Sequence, residues 1–149
     1  MNSDKQEFSR NIIRHIARLE RQRRLYLDEN LRAFKLRGVM FMIILYLDRH
    51  PGSNQDSLSE YLLIDKSGVA RKCRELEDMG YIKREQSRDN RRQNELYLTE
   101  NGQTLLPVIR SLLAKWREIV TKDMTGFEQK ELLRLLELME KNALNIRPS

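Results

Sequence analysis

The chain has one cysteine, three prolines and six glycines in 149 residues. A lone cysteine, Cys73, excludes an intramolecular disulfide framework and a multi-cysteine zinc site. So few helix breakers leave room for long uninterrupted helices. Apolar runs are short too. The longest, Val39 to Leu47, ends at Asp48-Arg49 and falls far below the length of a membrane span. The start, MNSDKQEFSR, lacks the apolar centre of a signal peptide. There is no phosphate-cradling glycine loop, no recognisable pairing of a nucleophile with a histidine and no metal-ligand spacing. His15 and His50 stand without a nearby cysteine or carboxylate cluster. We therefore expect a cytoplasmic protein that is not an enzyme and carries no metal or cofactor.

What the chain does have is positive charge, and it is unevenly placed. The net charge is +6 and the sequence pI about 9.6. A basic balance speaks of anionic partners rather than of fold. Nine bases and three acids lie between Arg10 and Arg37, and nine bases and six acids between Asp65 and Arg92. Residues 99 to 149 are nearly balanced.

Periodicity organises the chain. Phe8, Ile12, Ile16 and Leu19 recur at helical spacing, with arginine over most of the other face. Gly38 to His50 is apolar nearly all round and reads as a buried central helix ended by Pro51-Gly52. Ser53 or Asn54 can cap a helix over Gln55 to Leu62, with Leu58, Tyr61 and Leu62 facing inward. Asp65 suits the N-cap and Gly80 the C-cap of a helix over Lys66 to Met79. Val69, Cys73, Leu76 and Met79 form its apolar stripe. Tyr81 to Arg84 and Glu95 to Thr99 then read as strands around the tip Ser87 to Gln93. A long helix follows from Thr99–Gly102 to about Lys122, in which Pro107 is expected to cause a kink or a shifted start. A last helix, Phe127 to about Asn145, carries Leu132, Leu135, Leu136 and Met139.

Two short helices, a strand, a basic loop and a strand make a winged helix-turn-helix pattern. The second helix of such a pair enters the major groove by its N-terminal residues. Opposite its apolar stripe this one offers Lys66, Ser67, Gly68, Ala70, Arg71 and Arg74. Its acids, Glu75, Glu77 and Asp78, come at the far end.

In order and spacing, Pro51-Gly52, Gln55, Leu58, Asp65-Lys66-Ser67, Val69, Arg71, Leu76-Glu77, Gly80-Tyr81-Ile82, Arg84, Asp89-Asn90-Arg91 and Leu98-Thr99-Glu100-Asn101-Gly102 resemble the MarR family of bacterial and archaeal transcription regulators. The match is continuous from about Leu36 to Gly102. The resemblance implies a mainly α chain with a small β-hairpin wing. An N-terminal dimerisation helix (1–35) and C-terminal dimerisation helices (101–149) would flank the winged helix-turn-helix domain (36–100). It implies that Arg91 enters the minor groove, that Asp89 holds its side chain, and that Arg88 and Arg92 meet phosphates. It implies a homodimer through Phe8, Ile12, Ile16, Leu19, Leu132, Leu135, Leu136 and Met139. The partner would be double-stranded DNA with a pseudo-palindromic operator. A dimeric repressor released by a small anionic or phenolic effector is the form the resemblance suggests.

Two positions depart from the family pattern. Gly68 and Ala70 stand where threonines are frequent, so fewer hydroxyls reach the bases. Lys35-Leu36-Arg37 stands where Gly-Leu-Thr is common, and Arg37 cannot cap the helix that follows. Other residues have plain readings beside sharper ones. Cys73 lies on a buried stripe, where a free cysteine is a small hydrophobe rather than a sensor. Tyr26, Phe34, Tyr46 and Trp116 could wall an effector pocket, and core packing explains each as well. The basic stripe Arg14, Arg18, Arg21 and Arg24 reads as a solvated face, with an effector pocket or an extra DNA contact as alternatives. A winged-helix module that works through protein contacts, without specific DNA binding, is the other reading of the whole.

Overall fold

The computed structural model describes residues 2–146. It contains α1 (Asn2–Leu31), a 3-10 turn (Arg32–Phe34), α2 (Met40–Arg49), α3 (Gln55–Leu62), α4 (Lys66–Asp78), β1 (Ile82–Gln86), β2 (Asn94–Leu98), α5 (Glu100–Thr121) and α6 (Gly126–Leu144). The strands pair antiparallel from Ile82 opposite Leu98 to Gln86 opposite Asn94. Ser53 adds a bridge to Leu96 on the other side of β2. The chain falls into two compact units, Met1–Leu112 and Leu113–Ser149.

In the first unit α2 is the centre, as its apolarity on all sides demands. Met40, Phe41, Ile43, Ile44 and Leu47 are buried. Around them the core is closed by Leu27 and Leu31 from α1, Leu58 from α3, Val69, Cys73 and Leu76 from α4, Ile82 and Leu96 from the hairpin, and Leu105 and Ile109 from α5. The end of α1 is thus part of the same core as the helix-turn-helix. In the second unit α6 has no buried residue. It begins with a capping box, in which Thr125 and Glu128 satisfy each other's backbone N–H.

Two expectations are corrected, and a third, that Arg37 caps nothing, holds. Tyr61 is 56% exposed, not inward: α3 is so short that it buries only Leu58. Pro107 does not shift the start of α5, which begins at Glu100 and runs through it. Pro107 lies on the exposed side, where water can take up the carbonyl it leaves unpaired. The start of α2 is organised from outside its own sequence. Arg37 gives no cap; instead the Gly38 N–H donates to Asp28 Oδ1 at 2.9 Å, and Arg37 pairs with Glu75 at 3.0 Å.

Candidate nucleic-acid interface

The helix-turn-helix is fixed by short polar side chains at each helix start. Asn54 Oδ1 accepts from Ser57 N–H at 2.9 Å and caps α3. Asp65 Oδ2 accepts from Gly68 N–H at 3.0 Å and caps α4. The same carboxylate accepts from the Ser67 hydroxyl. These bonds, the Ser67 one first, hold the Asp65 carboxyl below its ordinary 3.8. Between the two helices the chain turns through Leu63, which sits in the left-handed region at φ 58°. A leucine there costs about 1–2 kcal/mol of strain.

Spacings of four and three put Val69, Cys73 and Leu76 on the buried side of α4. That leaves Lys66, Ser67, Arg71 and Arg74 exposed, with Gly68 and Ala70 half-buried. Asp65, Ser67, Gly68, Arg71 and Arg74 line one shallow concavity, so the structure brings most of the expected groove face together. Among the described residues, Arg71 and Arg74 enter no ion pair, whereas Lys66 is 3.3 Å from Asp56. The acids at the far end are mostly answered within the fold. Glu75 meets Arg37 and Lys72, at 3.0 and 3.5 Å, and is held below its ordinary 4.5, chiefly by the Arg37 bond. Glu77 meets Arg84 at 3.4 Å.

Cys73 is fully buried, and burial pushes its thiol up to about 11. It carries neither a thiolate nor access to an oxidant. Among the described residues, no three His, Cys, Asp or Glu side chains are grouped to hold a metal. No helix of the described residues is long and apolar enough to cross a membrane.

The end of α4 and the start of α5 are clasped together beneath the wing. Gly80, at φ 77°, donates its N–H to Glu77 O at 2.9 Å, and Tyr81 N–H donates to Leu76 O at 3.0 Å. That pair closes the helix as a Schellman motif. Thr99 then works three ways. Its hydroxyl donates to Gly80 O at 2.6 Å and accepts from Gly102 N–H at 3.0 Å. Its N–H donates to Tyr81 O at 3.1 Å. Gly102 lies so close to the Tyr81 carbonyl that a Cβ would come within 2.1 Å of it. The Leu98-Thr99-x-x-Gly102 motif is therefore the joint that sets the hairpin's direction, not a contact surface.

The wing tip, Ser87 to Gln93, is tied by its own polar residues. Ser87 N–H donates to Gln93 O at 3.0 Å, and Gln93 N–H to Asn90 O at 2.9 Å. Ser87 Oγ accepts from Asn90 N–H, and Asn90 Oδ1 from Arg92 N–H. The side chains of Arg88, Asp89, Arg91 and Arg92 stand exposed. Among the described residues no ion pair joins Asp89 to Arg91; in this structure the tip is shaped by Ser87 and Asn90 instead.

One group is not visible in the sequence pattern. Asn54, Gln55, Asp56, Arg84, Arg92, Gln93 and Asn94 line a second concavity, between the start of α3 and the base of the wing. The Gln55 amide, turned oxygen-first, accepts from both Arg84 Nη atoms at 3.3 and 3.2 Å. The one signal along the chain is the cap at Asn54, since a helix start presents free N–H groups to an anion.

The expected dimer residues share one property: Phe8, Ile16, Leu19, Leu132, Leu135, Leu136 and Met139 are all exposed, Phe8 at 69%, and Ile12 is half-exposed. Of the aromatic residues considered for an effector pocket, Tyr46 packs against His50 and Tyr61, ring centroids 4.6 and 4.7 Å away. The Phe34 carbonyl accepts from Tyr81 OH at 3.1 Å.

Comparison with known proteins agrees with this geometry. The family model described as the MarR family matches residues 36–93. The HTH-type transcriptional regulator BilQ of Clostridioides difficile is 26% identical over 84% of this chain and 84% of its own length. A MarR transcriptional regulator from Methanosarcina mazei Go1 superposes with a TM-score of 0.85 at 32% identity, covering 93% of this chain and 99% of that one. A Listeria monocytogenes protein assigned to the MarR family and solved with a 26mer DNA superposes with a TM-score of 0.83 at 25% identity over 87% of each chain.

Proposed function

The chain belongs to the MarR family and is a DNA-binding transcriptional regulator, and from that premise we propose that it acts as a homodimeric repressor reading a pseudo-palindromic operator. The observation that carries the residue assignments is the exposed, basic N-terminal half of α4, whose distal acids Glu75 and Glu77 are engaged by Arg37, Lys72 and Arg84. A major groove about 12 Å wide admits one helix. In it, Arg71 would make the bidentate contact to a base edge, and Ser67 a shorter polar one. Gly68 and Ala70 leave little side chain to hold the helix off the bases. Arg74 and Lys66 would meet phosphates, Lys66 exchanging Asp56 for the backbone.

The wing would place Arg91 in the minor groove, where narrow A·T tracts concentrate negative potential, with Arg88 and Arg92 on flanking phosphates. The exposed stripes Phe8, Ile12, Ile16, Leu19 and Leu132, Leu135, Leu136, Met139 would close against a second copy. A two-fold dimer sets half-sites about 34–36 Å apart, one turn of duplex. Such a protein works where chromosomal DNA is, in the cytoplasm, and binding an operator that overlaps a promoter would block transcription. A small anionic or phenolic effector would relieve that block.

Two measurements test this. Light scattering should give twice the 17.9 kDa chain mass. Arg71→Ala should cut the preference for operator over random duplex by about 1–3 kcal/mol. Equal weakening on all duplexes would make Arg71 a phosphate contact and overturn its assignment.

A further inference from the structure

The groove-reading face leaves the arginines of α1 without a task. From Arg10 to Arg24 the helix holds six arginines and one acid, Glu20. Glu20 is engaged by Arg23 at 2.9 Å. The other five, Arg10, Arg14, Arg18, Arg21 and Arg24, are exposed and, among the described residues, enter no ion pair. At 3.6 residues per turn they fall within about a third of the helix circumference and span about 21 Å. Phe8, Ile12, Ile16 and Leu19 lie on the other side. A solvated face normally mixes signs, because like charges three and four residues apart weaken a helix. Between Arg10 and Arg24 this face carries no acid, and Glu7, beside Arg10 and Arg14, marks its N-terminal end.

We propose that the α1 stripe is a second, sequence-independent surface for the phosphate backbone of duplex DNA, separate from the face made by α4 and the wing. Its charged residues from Arg10 to Arg24 are all arginine, whose fork matches phosphate oxygens in pairs. A lipid surface fits less well, because the apolar face that would enter it belongs to the dimer contact. The last turns of α1, through Leu27 and Leu31, are built into the same core as α4 and the hairpin. The stripe therefore travels with the groove-reading face and lets one regulator hold DNA beyond its half-sites. The proposal rests on the regulator reading, and its test separates the two.

The test uses the full chain and a mixed-sequence duplex, with binding followed by fluorescence anisotropy over a range of salt. The variant Arg14→Gln/Arg18→Gln/Arg21→Gln removes charge at exposed positions; circular dichroism and light scattering would confirm fold and assembly. The expected result is a salt slope shallower by about 0.9 for each phosphate that the variant no longer neutralises, with weaker binding to every duplex and an unchanged preference among sequences. An Arg71→Ala/Arg91→Ala variant should keep a residual binding that the three stripe changes then abolish. Affinity and salt slope equal to the parent's would overturn the stripe while leaving the regulator reading in place. So would tighter capture of the parent by phosphatidylserine vesicles than by duplex, if the three stripe changes abolish that capture.

Discussion

Replacing Gly102 by alanine tests the joint between α4, the wing and α5. Two effects oppose each other. Alanine inside a helix is favoured over glycine by about 1 kcal/mol. Against that, the new methyl would sit 2.1 Å from the Tyr81 carbonyl oxygen, where ordinary contact begins at 3.4 Å. The neighbour is backbone and cannot rotate away. It is also held by Thr99 N–H at 3.1 Å, and the adjacent Gly80 carbonyl by the Thr99 hydroxyl at 2.6 Å. Relieving the clash means separating α5 from the end of α4. We assign that about 3–4 kcal/mol, at or above the upper end of the usual cost of forcing extra atoms into a packed site. The net loss is then about 2–3 kcal/mol, which lowers Tm by about 4–12 °C for a chain of this size. Thermal unfolding by circular dichroism, at one fixed protein concentration because a dimer's Tm depends on it, reads this directly. Asn101→Ala is the control: that side chain is exposed and gains propensity without meeting Tyr81. If Gly102→Ala unfolds within about 0.5 kcal/mol of the parent, the range of an ordinary surface change, the clasp is not what holds the wing.

Three further expectations follow from the same geometry. Leu63→Gly should stabilise the protein by about 1 kcal/mol, because an exposed leucine is held at φ 58°; a destabilised variant would show that its side chain matters more than the strain. Cys73, with its thiol pushed up to about 11, should resist a thiol reagent at pH 8 until the chain is unfolded; rapid modification of the native protein would contradict the burial. Asp65 is held below its ordinary value, so the α4 cap contributes stability above about pH 4 and loses it as pH falls further. Asp65→Asn should flatten that part of the acid-unfolding profile, and an unaltered profile would remove Asp65 from the account.

Much of this was legible along the chain, and the reason is local chemistry. Asn54 and Asp65 cap the helices they precede, because a short polar side chain reaches a neighbouring N–H in almost any context. The stripe Val69, Cys73, Leu76 and the strands flanking Ser87–Gln93 were readable as periods of a helix and of a pleat. What was not legible is what distant residues supply. Asp28 organises the start of α2 from ten residues upstream. Tyr61 shares the spacing of Leu58, yet α3 is too short for its period to say which neighbour is covered. Leu63 gives no sign of a left-handed turn, since glycine is the residue that announces one. The need for Gly102 appears only when Tyr81, twenty-one residues earlier, is folded against it. Arg84 and Gln55 come together with Arg92 only through the packing of the hairpin on α3.

The most direct test of the central claim is binding of the purified protein to the DNA immediately upstream of its own gene, against a mixed-sequence duplex, with salt varied in both. A dimer should prefer the upstream segment, with affinity falling steeply as salt rises and the preference shrinking in Arg71→Ala and Arg91→Ala. Absence of binding to either duplex at low salt would contradict it, and would leave Ser87–Gln93 a solvated loop.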